Sequence, residues 1–240
     1  MFDDYESLSG ETSDVIIALV RRKPHAVLSL AAGDTPRLTY QFLAERAVRQ
    51  GVDFSRCTFI GLDEWVGIPP ENPGSCLYFL QNNLFNPLGI ARHQIHVFNA
   101  LASDLASECK KMDTAIKAKE YIDLMLVGVG MNGHIGFNEP GVAEDLYTHV
   151  VALDATTRRV GQKYFKQHTE LEYGITLGLK HLLESRRVIM MASGRKKADV
   201  IRLALEGPVN TQLPASIIRK HPKGIVMVDR EAAEGLKGRR

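Results

Sequence analysis

The segment Gly128-Val129-Gly130-Met131-Asn132-Gly133-His134-Ile135-Gly136-Phe137-Asn138-Glu139-Pro140 holds an imidazole and a carboxylate five residues apart. Histidine titrates nearest neutral pH, and a carboxylate beside it fixes its tautomer and strengthens it as a base. His134 and Glu139 are therefore a candidate acid–base pair. A structural loop whose histidine caps a carbonyl would use the same residue types, but the glycines and the apolar run just before them favour chemistry. Those glycines superficially resemble a dinucleotide loop. Such a loop opens directly into a helix near the start of a βαβ unit, whereas here His134 and then Pro140 follow, so nicotinamide binding is not expected.

Asp63 and Glu64 are adjacent acids ending a second apolar run, and neighbouring strand residues point to opposite faces, so only one can enter a shared site. A solvated turn or a cap accounts for the pair equally well. Gly33-Asp34-Thr35-Pro36 follows a third apolar run; backbone N–H groups at a helix start attract anions, and the same residues also serve as an ordinary cap. Gly194-Arg195-Lys196-Lys197-Ala198 sets cations at a helix start, where they oppose the macrodipole. An anion between them resolves that conflict; a solvated basic surface is the plainer alternative. Lys163, Arg158 and Arg159 are further cationic candidates.

These residues need elements to position them. Short apolar runs predict strands over 26–30, 57–62, 94–98, 123–129, 188–192 and 224–228, the fourth being continuously apolar and so covered on both faces. Helical spacing predicts helices over 36–49, with Thr35 as N-cap and Pro36 at the first helical position, and over 75–84, 103–119 and 196–205. Strands alternating with helices predict an α/β fold: a Rossmann-like, open, mostly parallel sheet with helices on both faces. No linker, repeat or low-complexity tract divides the chain, so one domain over 1–240 is expected. Ligands of such sheets bind beyond the carboxyl ends of the strands, where the three polar turns should converge.

Composition narrows the functional classes. A formal net charge of +2 gives no basic face for nucleic acid, so any anion must meet a local pocket. Cys57, Cys76 and Cys109 are far apart and lack metal-ligand spacing, which fits free thiols in a reducing cytosol. The acidic start Met1-Phe2-Asp3-Asp4 is unlike a signal peptide, and no apolar run approaches the roughly 20 residues that span a bilayer. A cytoplasmic enzyme with no membrane or nucleic-acid partner and no metal is expected.

At these same residues the chain resembles the glucosamine-6-phosphate deaminase family, and within it the galactosamine-6-phosphate deaminase/isomerase branch. The resemblance rests on Gly33-Asp34-Thr35-Pro36, Leu62-Asp63-Glu64-Trp65-Val66, the Gly128 to Pro140 segment, Gly174-Ile175-Thr176-Leu177-Gly178-Leu179-Lys180, Gly194 to Ala198, and Pro214-Ala215-Ser216. It implies that Asp63 moves a proton between C2 and C1 of an open-chain sugar, that His134 assists ring opening, and that Glu139 orients His134. It places the 6-phosphate against Gly33, Asp34, Thr35, Lys163 and Lys197, needs no cofactor, and allows either a monomer or a homo-oligomer. Lys163 stands where many members have Arg and lacks the bidentate fork.

Asn132 replaces an Asp of the glucosamine enzymes, which implies a less basic His134. Together with Asp-Glu-Trp and Pro73-Gly74-Ser75-Cys76 it points to galactosamine 6-phosphate, giving tagatose 6-phosphate and ammonia. Glucosamine 6-phosphate, giving fructose 6-phosphate, is the alternative. The segment 141–147 has no Lys or Arg but carries Glu144 and Asp145, so activation by an acetylated sugar phosphate is not expected. The short N-terminal sequence suggests a missing edge strand. A 6-phosphogluconolactonase and a non-catalytic sugar-phosphate sensor are the rivals; Trp65 and Asn138-Glu139-Pro140 argue against the first, and the trio Asp63, His134 and Glu139 against the second.

Overall fold

A computed structural model describes residues 1–237. Six strands form one parallel sheet in the order β4-β2-β1-β5-β8-β9. They are β1 (Val27–Leu30), β2 (Thr58–Ile60), β4 (Ile95–His96), β5 (Leu124–Val127), β8 (Val188–Ala192) and β9 (Gly224–Val228). β5 is buried at every position and lies between β1 and β8, with Leu28 opposite Leu124 and Met125 opposite Val188.

Alternation along these strands feeds two apolar layers. Leu28, Leu30, Phe59, Leu124, Leu126, Ile189 and Met191 pack with α1 (Tyr5–Arg22) and α2 (Asp34–Gln50). Val27, Met125, Val127, Val188 and Met190 pack with α4 (Leu105–Lys117), α6 (Leu179–Glu184) and α7 (Ala198–Glu206). The parallel sheet with helices on both faces is therefore as expected. Each residue hidden between layers removes apolar surface at about 25 cal/mol per Å², which makes the sheet a rigid base for its loops.

Several boundaries differ from the sequence reading. α2 starts at Asp34, with Gly33 and not Thr35 at the N-cap, because Gly33 takes φ +120° and lets the chain turn off β1 two residues earlier. The run 57–62 does not continue into Asp63: β2 stops at Ile60, and Asp63–Trp65 forms a separate strand, β3. That strand belongs to an antiparallel sheet of order β3-β7-β6 with β7 (Tyr173–Thr176) and β6 (His149–Ala152), neither of which was anticipated. β6 is half exposed and β7 is only four residues long, so neither carries a strong apolar run. Trp65, Phe137, Leu153 and Leu171 form a third cluster beneath it, with the Trp65 and Phe137 rings 4.5 Å apart.

At the outer edge beyond β9, Phe2 makes a single parallel bridge with Asp229, its N–H donating to Val228 O at 2.9 Å. The remaining α-helices among the described residues are α3 (Cys76–Leu80), capped by Ser75, and α5 (Ala155–Gly161), capped by Asp154. No described helix is long and apolar enough to cross a membrane.

Candidate active site

A cleft of about 400 Å³ opens at the carboxyl ends of β1, β2 and β5. Its walls include Gly33, Asp34, Thr35, Asp63, Asn132, His134, Lys163 and Lys197, so eight of the nine residues that the family resemblance implicates meet there. Glu139 sits one layer behind, 5% exposed.

β3 separates the two adjacent acids. Glu64 turns inward, where Oε1 accepts from the N–H groups of Trp65 and Cys76 at 3.0 and 2.9 Å, and Oε2 accepts from Ser75 Oγ and Leu77 N at 2.7 and 2.9 Å. It thereby holds the start of α3. Asp63 faces the cleft. Burial and the charge of Glu64 push its carboxyl up to about 7, against a hydrogen bond from Cys76. A carboxylate tuned to that range is a competent proton acceptor at neutral pH.

The glycine loop brings His134 to the cleft. Asn138, 2% exposed, staples the loop by donating from Nδ2 to Ile135 O and Leu177 O, both at 2.8 Å. Gly130 packs against the imidazole, and a Cβ there would collide with Nε2, Cε1 and Cδ2. Nδ1 of His134 lies 3.4 Å from Glu139 Oε2 but only 2.9 Å from Thr157 Oγ1. Burial works against the charge of Glu139, yet hydrogen bonds from His134, Thr157 and Asn132, together with the charge of His134, leave its carboxyl below its usual value. Asn132 donates from Nδ2 to Glu139 Oε2 at 2.8 Å and lies 3.3 Å from Asp154 Oδ1. An aspartate at 132 would face two carboxylates, which explains an amide there.

The cleft wall also carries cations. Lys197 donates from Nζ to Val129 O at 2.7 Å, and burial together with the charge of Lys163 pushes its ammonium down to about 8. Lys163 lies 2.8 Å from Asp34 Oδ2, and Arg37 lies 3.1 Å from Asp34 Oδ1. Arg37, stacked 4.7 Å over the Phe79 ring, lines the cleft and was not anticipated. Arg158 and Arg159 are exposed on α5 and lie outside the lining, and Arg195 pairs instead with Glu234. Thr157 also lines the cleft and was not anticipated: it is placed by a helix start, and nothing local ties it to His134. In 141–147, Glu144 is paired with Lys220 at 2.6 Å. Among the described residues, no group of three His, Cys, Asp or Glu side chains is placed to share a metal ion.

Residues 5–227 match a family model described as glucosamine-6-phosphate isomerases/6-phosphogluconolactonase. A glucosamine-6-phosphate deaminase of Thermoanaerobacter pseudethanolicus is 36% identical over 231 residues, 96% of this chain and 91% of that protein. One from Clostridium botulinum strain Loch Maree is 37% identical, with 98% and 96% covered. Among solved structures, one described as a monomeric glucosamine-6-phosphate deaminase superposes with a TM-score of 0.94 at 33% identity, covering 98% of each chain. A 6-phosphogluconolactonase from Thermotoga maritima superposes with a TM-score of 0.76 at 22% identity, covering 96% and 97%, and shares the fold.

Proposed function

The chain belongs to the family of glucosamine-6-phosphate isomerases and 6-phosphogluconolactonases, and from that premise we propose that it isomerises and deaminates a hexosamine 6-phosphate. The observation that carries this reading is one cleft with a proton-accepting carboxylate, Asp63, a histidine backed by Glu139, and two lysines in its wall. Its volume suits a phosphorylated hexose, and relatives sharing more than a third of its residues are named as deaminases.

In this reading Lys163, Lys197 and the Gly33-Asp34-Thr35 turn hold the 6-phosphate. His134 takes the proton from the anomeric hydroxyl and delivers it to the ring oxygen, opening the sugar. Asp63 takes the C2 proton and returns it to C1, through an enol that carries the nitrogen at C2. Water adds to the resulting C2 imine, ammonia leaves, and a ketohexose 6-phosphate remains. A positioned acid–base group of this kind contributes about 10²–10⁴-fold.

Two observations bear on the C4 configuration of the substrate. Asn132-Gly133-His134, Asp63-Glu64-Trp65 and Pro73-Gly74-Ser75-Cys76 support galactosamine 6-phosphate through the branch they resemble. The names of the relatives support glucosamine 6-phosphate. The test is ammonia and ketose phosphate release from each sugar by the wild-type chain and by Asp63→Asn. Release from the galacto sugar, lost in the variant, is the expected result. Release from the gluco sugar alone would move the substrate while keeping the reaction, and no ammonia from either would end the deaminase reading.

A further inference from the structure

The nearest hydrogen-bonding partner of His134 is not the carboxylate but the hydroxyl of Thr157, 2.9 Å from Nδ1. Thr157 is 4% exposed, and its hydroxyl is among the groups that hold the Glu139 carboxyl below its usual value; Asn132 Nδ2 reaches both, 2.8 Å from Glu139 Oε2 and 3.4 Å from Thr157 Oγ1. Building on the deaminase reading above, we infer that Thr157 is the positioning residue that relays Glu139 to His134 and fixes which imidazole nitrogen carries the ring hydrogen.

The argument is one of donors and acceptors. An ionised carboxylate only accepts, and a hydroxyl has a single proton to donate. The strongest use of that proton is the charged acceptor Glu139. Asn132 cannot take its place, because its amide N–H groups donate toward both Glu139 Oε2, at 2.8 Å, and Thr157 Oγ1, at 3.4 Å. With the hydroxyl proton directed at Glu139, the oxygen is left to accept, so Nδ1 of the neutral imidazole must carry the hydrogen. Nε2 is then bare. It lies on the ring edge packed against Gly130 and has no hydrogen-bonding partner among the described residues, which leaves it free to take a proton from a sugar hydroxyl.

The position of Thr157 is itself set by the same loop. It sits in the first turn of α5, whose cap Asp154 donates its backbone N–H to Glu139 Oε1 at 3.3 Å and receives Asn132 Nδ2 at 3.3 Å. Asn132, Glu139, Asp154 and Thr157 thus tie the start of α5 to the histidine loop, and the relay is held from both sides.

The test is ¹⁵N NMR of the His134 ring in the full-length chain, paired with steady-state kinetics. In the wild type the neutral ring should carry its proton on Nδ1. Thr157→Val keeps the shape and removes the hydroxyl; it should give a mixture of tautomers and lower kcat by about 10- to 100-fold with KM nearly unchanged, a smaller loss than removal of the acid–base group itself. Thr157→Ser should restore both signals. A wild-type proton on Nε2, or a Thr157→Val chain that keeps the Nδ1 tautomer and its kcat, would overturn the relay. So would a serine variant as impaired as valine, which would mark packing as the role. The NMR readout needs no turnover, so a chain that releases no ammonia would end the deaminase reading and still leave the tautomer to decide this inference.

Discussion

The ammonium of Lys163 lies 2.8 Å from Asp34 Oδ2, across 129 residues of sequence, in the cleft wall. One acid therefore already occupies a cation that the proposed reading gives to the phosphate, and Arg37 leans on its other oxygen. A phosphate entering here must share or displace that pair. Asp34→Asn frees Lys163, so KM for the sugar phosphate should fall, by about 1.5- to 5-fold given the ~0.2–1 kcal/mol typical of half-exposed pairs. The gain should shrink at high salt. A rise in KM would show instead that Asp34 itself grips the sugar.

On the proposed mechanism, Asp63 should set the pH dependence. Its carboxyl must be ionised to accept a proton, and burial beside Glu64 holds it up to about 7. The kcat/KM of the free enzyme should climb with pH and level off above about 7, and a profile already flat from pH 5 would contradict the assignment. Stability runs the other way. Between the ordinary value of 3.8 and about 7 the folded chain binds a proton that the unfolded chain has released, so the fold loses stability as pH rises through that window. Asp63→Asn should therefore abolish turnover yet melt higher than wild type above that window, by on the order of 1–2 kcal/mol once cleft water has screened the charge.

Lys197 should report phosphate binding through protons. Burial and the neighbouring Lys163 hold its ammonium down to about 8, and an adjacent phosphate dianion favours the charged form. Titration calorimetry with a non-reacting hexitol 6-phosphate near that pH should show proton uptake, visible as a binding enthalpy that varies with the buffer. Lys197→Met should abolish the uptake and raise KM about tenfold or more, as loss of a charge-assisted hydrogen bond does. Uptake that persists in the variant would place the titrating group elsewhere.

Gly130 has no room for a side chain, because a Cβ would strike the His134 ring. Gly130→Ala should push the imidazole out of line and cost about 10²-fold or more in kcat, the share a placed acid–base group supplies. Gly130 adjoins the surface-facing Met131, so the thermal midpoint should move much less than the rate. An active Gly130→Ala chain would show that the ring tolerates displacement.

Much of the site was legible because its motifs sit where strands end. The apolar runs at 188–192 and 224–228 become β8 and β9 without change of boundary, and β5 is central, as continuous burial requires. Asp63 and His134 reach one cleft because parallel strands deliver their carboxyl ends to one side. Arg158 and Arg159 show the limit of such reading. They carry the same charge as Lys163, but their helical phase turns them to solvent.

Sequence by itself determined the alternation of strands and helices, the residue types at the strand ends, and the family to which the chain belongs. These depend on local apolar periodicity and on motifs contiguous in the chain. Residue types left Asp63 and Glu64 equivalent and only resemblance favoured Asp63; tertiary structure turns Asp63 to the cleft, since β3 leaves the main sheet to pair with β7, and pairing fixes which face each side chain takes. It also decided that Thr157 stands between His134 and Glu139, and that Lys163 meets Asp34. Those contacts join segments 23 and 129 residues apart, and only packing of the intervening elements sets such distances.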